Sequence, residues 1–317
     1  MDVVALGELL VDFTENGSSN QGNKMFEANP GGAPCNVLAM LQKLGKKTAF
    51  IGKVGDDSFG HTLVSAVKEQ GIDVQGLCYD KQIPTTLAFV QTAIDGDRSF
   101  SFYRNPGADM MLKKEEVDEK ILKETRIFHF GSLSMTDELC EAATKYAIET
   151  AKQNGALISF DPNLRKPLWS DMKKAKEKIL YGISMCDVLK ISDDEILFLT
   201  DEKDIDKGVK KLIDKYQIPF VCATMGRKGS KAFYDGKVTE AEPFLRDDTI
   251  ETTGAGDTFC ACLLNDVLEN GIKSRTEKSV YEMLRFANAA ASIITTRKGA
   301  LRVMPEKDEI LQLIKKS

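Results

Sequence analysis

Short apolar runs that end in glycine or a polar residue, each followed by a segment with helical spacing, recur along most of this chain. Val3-Val-Ala-Leu6 ends at Gly7, and Thr48-Ala-Phe-Ile51, Ile127 to Gly131, Ala156 to Asp161, Asp187 to Ile191 and Phe220 to Thr224 behave alike. Between them, Val37, Leu38, Leu41 and Leu44 (closed by Gly45) and Leu63, Val64 and Val67 (closed by Gly71) line single helix faces. Further helices are predicted near 139–151, 172–183, 195–199 and 205–216. Strands without polar alternation are buried on both faces, so the predicted fold class is α/β, with a mostly parallel central sheet flanked by helices. Ligands of such open sheets gather at the carboxyl ends of the strands.

Two stretches break the rhythm. Residues 11–30 are polar, with a turn around Asn16 to Asn20, and residues 85–105 alternate on either side of Asp95-Gly96, a strong hairpin signal. Together they are expected to form one small antiparallel sheet, a lid of residues 11–30 and 85–107. The main domain is then 1–10, 31–84 and 108–317. An ordinary hairpin on the edge of the main sheet is the alternative. A two-stranded ribbon is marginal alone, so the lid is expected to close on a ligand or to pack against a second lid in a homodimer. Asp235-Gly236 marks another hairpin.

Composition excludes several classes. The net charge of -5 with dispersed cations gives no basic stripe for nucleic acid, and no apolar run reaches the length of a membrane span. The N-terminus has acids where a signal peptide would be apolar. Seven scattered cysteines without a C-x-x-C pair fit a reduced, cytoplasmic protein. With only His61 and His129, a multi-histidine metal centre is impossible, and His129 sits in an apolar run that does not suit a catalytic triad. There is no P-loop motif, and Gly254-Ala-Gly256 lacks the third glycine of a dinucleotide fingerprint.

The segment Glu251-Thr-Thr-Gly-Ala-Gly-Asp257-Thr-Phe259 precedes a helical apolar pattern. Glycines at a helix N-terminus make an anion site. A carboxylate beside a bound phosphate is repelled unless it takes a proton from an attacking hydroxyl, which gives Asp257 the pattern of a general base. A capped helix start is the plainer reading. Other polar residues fall on the same sheet edge: Glu8 and Asp12, Gly31, Gly32 and Asn36, Asp161, Asn163 and Arg165, Lys190, Ser192 and Glu195, and Thr224, Gly226 and Gly229.

At these residues the chain resembles the PfkB (ribokinase-like) carbohydrate kinases over essentially its whole length. Thr253 to Phe259 is similar to the second signature of that family, and Gly31 to Asn36 with Gly52 to Gly60 to the first. Phe102 to Asp109, Asp161-Pro-Asn-Leu-Arg165, Pro167-Leu-Trp169 and Lys190 to Glu195 resemble fructokinases. The resemblance implies a ribokinase-like three-layer sandwich with a small antiparallel β lid, and phosphoryl transfer from ATP to a sugar hydroxyl. Fructose is the expected sugar. A ribokinase, a 2-keto-3-deoxygluconate kinase, a non-catalytic sugar- or nucleotide-binding regulator and, more remotely, a dinucleotide oxidoreductase are the alternatives. It assigns Asp257 as base, the Gly254, Ala255 and Gly256 amides to the transferred phosphoryl group, and Arg165 as a phosphate clamp. Asp12, Gly31, Gly32, Asn36, Arg104 and Asp161 would hold the sugar. Lys190, Ser192, Thr224, Gly226, Gly229 and Asn288 would flank the nucleotide, and Asn163 and Glu195 would orient water on Mg²⁺. Glu251, where the family often has Asp, and Thr253 stand where the family places a monovalent cation, K⁺, with a second loop near Thr296 to Arg302.

Overall fold

The computed structural model describes residues 1–92 and 98–316. The chain opens with β1 (Val3–Leu6), then forms a hairpin of β2 (Leu10–Ser18) and β3 (Lys24–Gly31) before α1 (Ala33–Lys43). There follow β4 (Thr48–Gly55), α2 (Ser58–Glu69), β5 (Asp73–Asp80) and a second hairpin, β6 (Leu87–Thr92) with β7 (Arg98–Tyr103). After the short α3 (Glu119–Lys123), strands and helices alternate through β8 (Ile127–Gly131), α4 (Glu138–Gln153), β9 (Leu157–Asp161), α5 (Met172–Met185), β10 (Val188–Ser192), α6 (Asp193–Thr200), α7 (Ile205–Tyr216) and β11 (Phe220–Thr224). The chain ends with the hairpin β12 (Ser230–Tyr234) and β13 (Lys237–Ala241), then α8 (Ala255–Asn270), α9 (Glu277–Ile294) and α10 (Lys307–Lys316).

Nine strands form the main sheet in the order β13-β12-β11-β10-β9-β8-β1-β4-β5. It is parallel from β11 to β5, and β12 and β13 are antiparallel at one edge. Successive strand side chains enter opposite cores. Val3, Ala5, Phe50, Phe220 and Cys222 pack with α1, α2, α8, α9 and α10, whereas Val4, Leu6, Ile51, Val221 and Ala223 pack with α4, α5, α6 and α7. These are the three layers expected from uninterrupted apolar strands. No helix among the described residues is long and apolar enough to cross a membrane. The order reverses direction between β1 and β8, and the crevice beyond their carboxyl ends is where such sheets bind ligands.

The structure departs from the sequence expectation at β4 and β5. Strand β4 runs past the expected Thr48–Ile51 stretch to Gly55, and it buries Lys53. That cation is tolerated because Asp80 and Glu116 meet its Nζ at 3.2 and 2.8 Å. Strand β5 has the polar sequence Asp-Val-Gln-Gly-Leu-Cys-Tyr-Asp, and as an edge strand it needs little apolar cover.

The second sheet has the order β3-β2-β6-β7. Each hairpin is antiparallel as expected, but the two join through a parallel β2–β6 pair, with Asp12 opposite Ala88. The Asp95-Gly96 turn lies outside the described residues. Asp57, the N-cap of α2, fixes the root of β6. Its Oδ1 accepts from the Gly60 N–H and the Thr85 hydroxyl, and its Oδ2 from the Thr85 N–H, each at 2.8 Å.

Candidate active site

The chain enters α8 through Gly254, whose φ of 77° lies in the left-handed region. A Cβ there would stand 2.8 Å from the Ala300 Cβ, so the turn requires glycine on two counts. It delivers Asp257 into the first turn of α8, where the helix dipole favours an anion. Asp257 is buried, and its Oδ2 accepts a 2.8 Å hydrogen bond from Asn36 Nδ2 on α1. Burial raises its carboxyl above the usual range, against the Asn36 bond and the charges of Lys190 and Arg165. The shift moves the acid toward the pH at which a general base works. Asn36 Oδ1 is buried with no hydrogen-bond partner among the described residues. A lone buried acceptor costs about 1–3 kcal/mol, and a ligand hydroxyl would relieve it.

The start of α1 is held from β1. Gly32 has a φ of 133°, and a Cβ on it would overlap the Glu8 carbonyl oxygen. Glu8 Oε1 accepts from the Ala33 N–H at 2.9 Å, which does the work of a helix cap. Burial pushes the Glu8 carboxyl up to about 7, against its own and the Ala33 amide bonds and the Arg104 charge and with help from Asp109. Glu8, Asp161, Asn163 and Asp257 line a cavity of about 10 Å³ together with His129, Ser132 and Leu133. That is room for about one water, so the cavity is the floor of a ligand site and not its whole volume. Ser132 Oγ there is a second buried group with no partner among the described residues. His129 is a strand residue, as its apolar neighbours suggest. Its Nδ1 lies 3.0 Å from Ser159 Oγ, and burial and then the Lys190 charge lower its pKa to about 3, so it stays neutral.

The second sheet adds Asp12, on β2 beside Gly31, where a Cβ would overlap its carboxylate. Burial raises the Asp12 carboxyl to about 7; Arg165 opposes the shift, and Glu251 and Asp257 add to it. These couplings bring Asp12, Arg165, Glu251 and Asp257 into one neighbourhood. Arg104 departs from expectation. It is buried, with Nε and a terminal nitrogen on Asp109 at 2.8 and 2.7 Å, and its other terminal contacts go to Thr136 Oγ1 at 2.9 Å and the Leu133 carbonyl at 3.2 Å. It braces the cavity wall at Leu133 and is not among the residues lining the cavity.

Residues 1–307 match the model of the pfkB family carbohydrate kinases. The chain belongs to this family. A probable fructokinase-2 of Arabidopsis thaliana is 40% identical over 99% of this chain and 95% of its own. A fructokinase from Xylella fastidiosa, solved with bound ATP, superposes with a TM-score of 0.90 at 29% identity, covering 99% of this chain and 98% of its own. A fructokinase from Vibrio cholerae O395 with fructose, ADP and calcium gives a TM-score of 0.87 at 29% identity and 99% coverage of both chains.

Beyond the glycine turn, this pfkB kinase carries the other expected residues at strand ends. Asp161 ends β9, and Lys190 Nζ on β10 meets its Oδ2 at 3.0 Å. Burial opposes the Lys190 charge, but Asp161 and Glu195 outweigh it and hold the ammonium above its usual range. That ammonium also lies 3.0 Å from where a Gly256 Cβ would stand. Ser192 caps α6 and is in register with Thr224 on β11. Glu195 completes the capping box, accepting from the Ser192 N–H at 2.9 Å and the Leu164 N–H at 2.8 Å. Each of its oxygens keeps a second lone pair for water. Asn163, between Asp161 and Arg165, is left-handed at φ 45°. Gly226 and Gly229 form the turn between β11 and β12.

Two expected nucleotide contacts are engaged within the protein. Asn288 on α9 donates to the Ala241 and Glu242 carbonyls at 3.2 and 3.0 Å and accepts from Ser230 Oγ at 2.9 Å, which pins the end of β13. The Ala255 N–H donates to Thr252 O at 3.2 Å, inside the turn. Thr253 lies in that turn, and Glu251 Oε1 beside it accepts from the Gly299 N–H at 2.7 Å, which joins the two loops where the resemblance places a monovalent cation. Sequence placed Glu8 on this edge without a role and did not single out Ser132 and Leu133, whose position just past β8 at the order reversal is the signal that could have found them.

Proposed function

We propose that this pfkB kinase transfers the γ-phosphoryl group of ATP to the primary hydroxyl of D-fructose, giving fructose 6-phosphate. The observation that carries the reading is Asp257, buried, raised in pKa and aimed by Asn36, at the mouth of a glycine turn. In this reading Asp257 takes the proton of the attacking hydroxyl, and the amides of Gly254 and Gly256 face the charge that develops on the phosphoryl oxygens. Asn36 Oδ1, Asp12, Asp161 and the Gly31-Gly32 turn position the sugar, and Arg165 meets phosphate oxygens. Lys190, Ser192, Thr224, Gly226 and Gly229 shape the nucleotide side, with Asn288 and Arg104 acting as braces. Oxygen donors at Asn163 and Glu195 suit Mg²⁺ held through water, and the ion when bound neutralises phosphate charge.

The fructokinase names of relatives near 40% identity support fructose over ribose. The test is an ADP-coupled assay with fructose, ribose, 2-keto-3-deoxygluconate and adenosine. Fructose is expected to give the highest kcat/KM, and another sugar ahead of it refutes the specificity. Asp257→Asn is expected to lower kcat by about 10²–10⁴-fold with ATP binding retained. Near wild-type turnover would remove Asp257 as the base.

Residues 11–30 and 85–107 are read as the lid and the remainder as the body. Phe13, Phe26, Phe89 and Tyr103 cluster on one lid face, with Phe13 stacked on Phe89, Phe26 and Tyr103 meeting Phe89 edge-on, and Tyr103 66% exposed. This apolar face supports a homodimer through the lid, which light scattering would test; a strict monomer excludes it. Seven free thiols fit a reducing, cytoplasmic setting.

A further inference from the structure

Glu251 belongs to no helix or strand, yet it is 9% exposed. With its neighbour Ile250 it is fastened to the segment after α9 by three hydrogen bonds. Its Oε1 accepts the Gly299 N–H at 2.7 Å, and the N–H groups of Ile250 and Glu251 both donate to Thr295 O, at 2.8 and 3.2 Å. That segment touches two other parts of the site. Ala300 packs under Gly254 in the anion turn. On the lid side, Lys298 Nζ donates to Asn16 Oδ1 of β2 at 3.3 Å, and a Cβ on Gly299 would stand 3.2 Å from Asn29 Oδ1 of β3. The Glu251 charge also acts on Asp12, which sits on the lid strand β2.

We propose that Glu251 is a positioning residue whose carboxylate holds residues 298–300 as a bridge between the lid and the glycine turn. The bridge gives lid position a direct route to the turn that carries Asp257. The catalytic consequence rests on the sugar-kinase reading, whereas the tie itself does not.

The test is hydrogen exchange by mass spectrometry on the ligand-free full chain, beside steady-state kinetics. Glu251→Ala is expected to speed exchange about tenfold or more in 296–302 and also in lid residues 24–31, leaving α4 unchanged. It should raise the sugar KM more than it lowers kcat. Glu251→Gln keeps an acceptor of equal reach and should stay within about threefold of wild type in both readouts. Should Glu251→Ala fail to fold, Glu251→Asp, one methylene too short to reach Gly299, takes its place with the same expectation. Faster exchange confined to 296–302, or a glutamine variant as impaired as the alanine one, overturns the bridge. Exchange is read without substrate, so a failed kinase assay would count against the proposed reaction and leave the bridge to be judged separately.

Discussion

Replacing Glu8 with glutamine should stabilise the ligand-free protein, and by an amount that depends on pH. The glutamine keeps an oxygen for the Ala33 N–H and changes little in volume. Its only large effect is to remove a charge from a group that is 5% exposed. The folded carboxyl titrates at about 7, whereas an unfolded chain holds glutamate near about 4.3. Between those two values the folded state keeps a proton that the unfolded state releases. Stability therefore falls as pH rises through the window, and the cost is complete above about 7. The gap corresponds to a cost of about 3–4 kcal/mol, of which about 2–3 kcal/mol develops between about pH 5 and about pH 8. A glutamine side chain has no such titration. For a chain of this size the Glu8→Gln advantage should grow by about 4 °C in Tm over the same interval. Differential scanning calorimetry at the two pH values reads it directly. A Tm difference that does not change with pH would mean that Glu8 is ionised throughout, and the burial argument would fail.

Gly32→Ala should abolish most activity and cost about 2–3 kcal/mol or more, because φ is 133° and the new Cβ meets the Glu8 carbonyl; wild-type kcat and Tm would refute the steric reading. Asp57→Ala removes the cap of α2 and the acceptor for Thr85. A loss of about 1–2 kcal/mol is expected in urea titration, with a raised sugar KM as the lid root loosens; unchanged values for both would detach Asp57 from the lid. Asn288→Leu should destabilise by about 1–3 kcal/mol, since it strands the Ala241 and Glu242 carbonyls and Ser230. The ATP KM should move less than stability does; a selective loss of ATP binding would instead make Asn288 a direct nucleotide contact.

The layered fold was legible because its strands are buried on both faces and so carry unbroken apolar runs. Phe220–Thr224 and the helix Ile205–Tyr216 appear where their patterns put them. Strand β5 was not legible, since an edge strand satisfies half its backbone and hides one face. The first-turn place of Asp257 could be inferred from glycines followed by a helical pattern. Its bond to Asn36, 221 residues away, could not, because only the fold brings α1 against α8. The engagement of Arg104 with Asp109 was likewise hidden. An arginine near a site reads as a ligand contact until the carboxylate that occupies it is seen.

The parallel β2–β6 seam constrains how this molecule can breathe. Its two hairpins leave the body at separate points in the chain and return to it separately, so four covalent stalks cross the boundary. A flap on one stalk can swing freely, but one stitched across four can only tilt. Whatever admits a sugar should therefore be a small rocking of the whole cover, with Asp12 travelling as part of it, and not the flipping of a single loop.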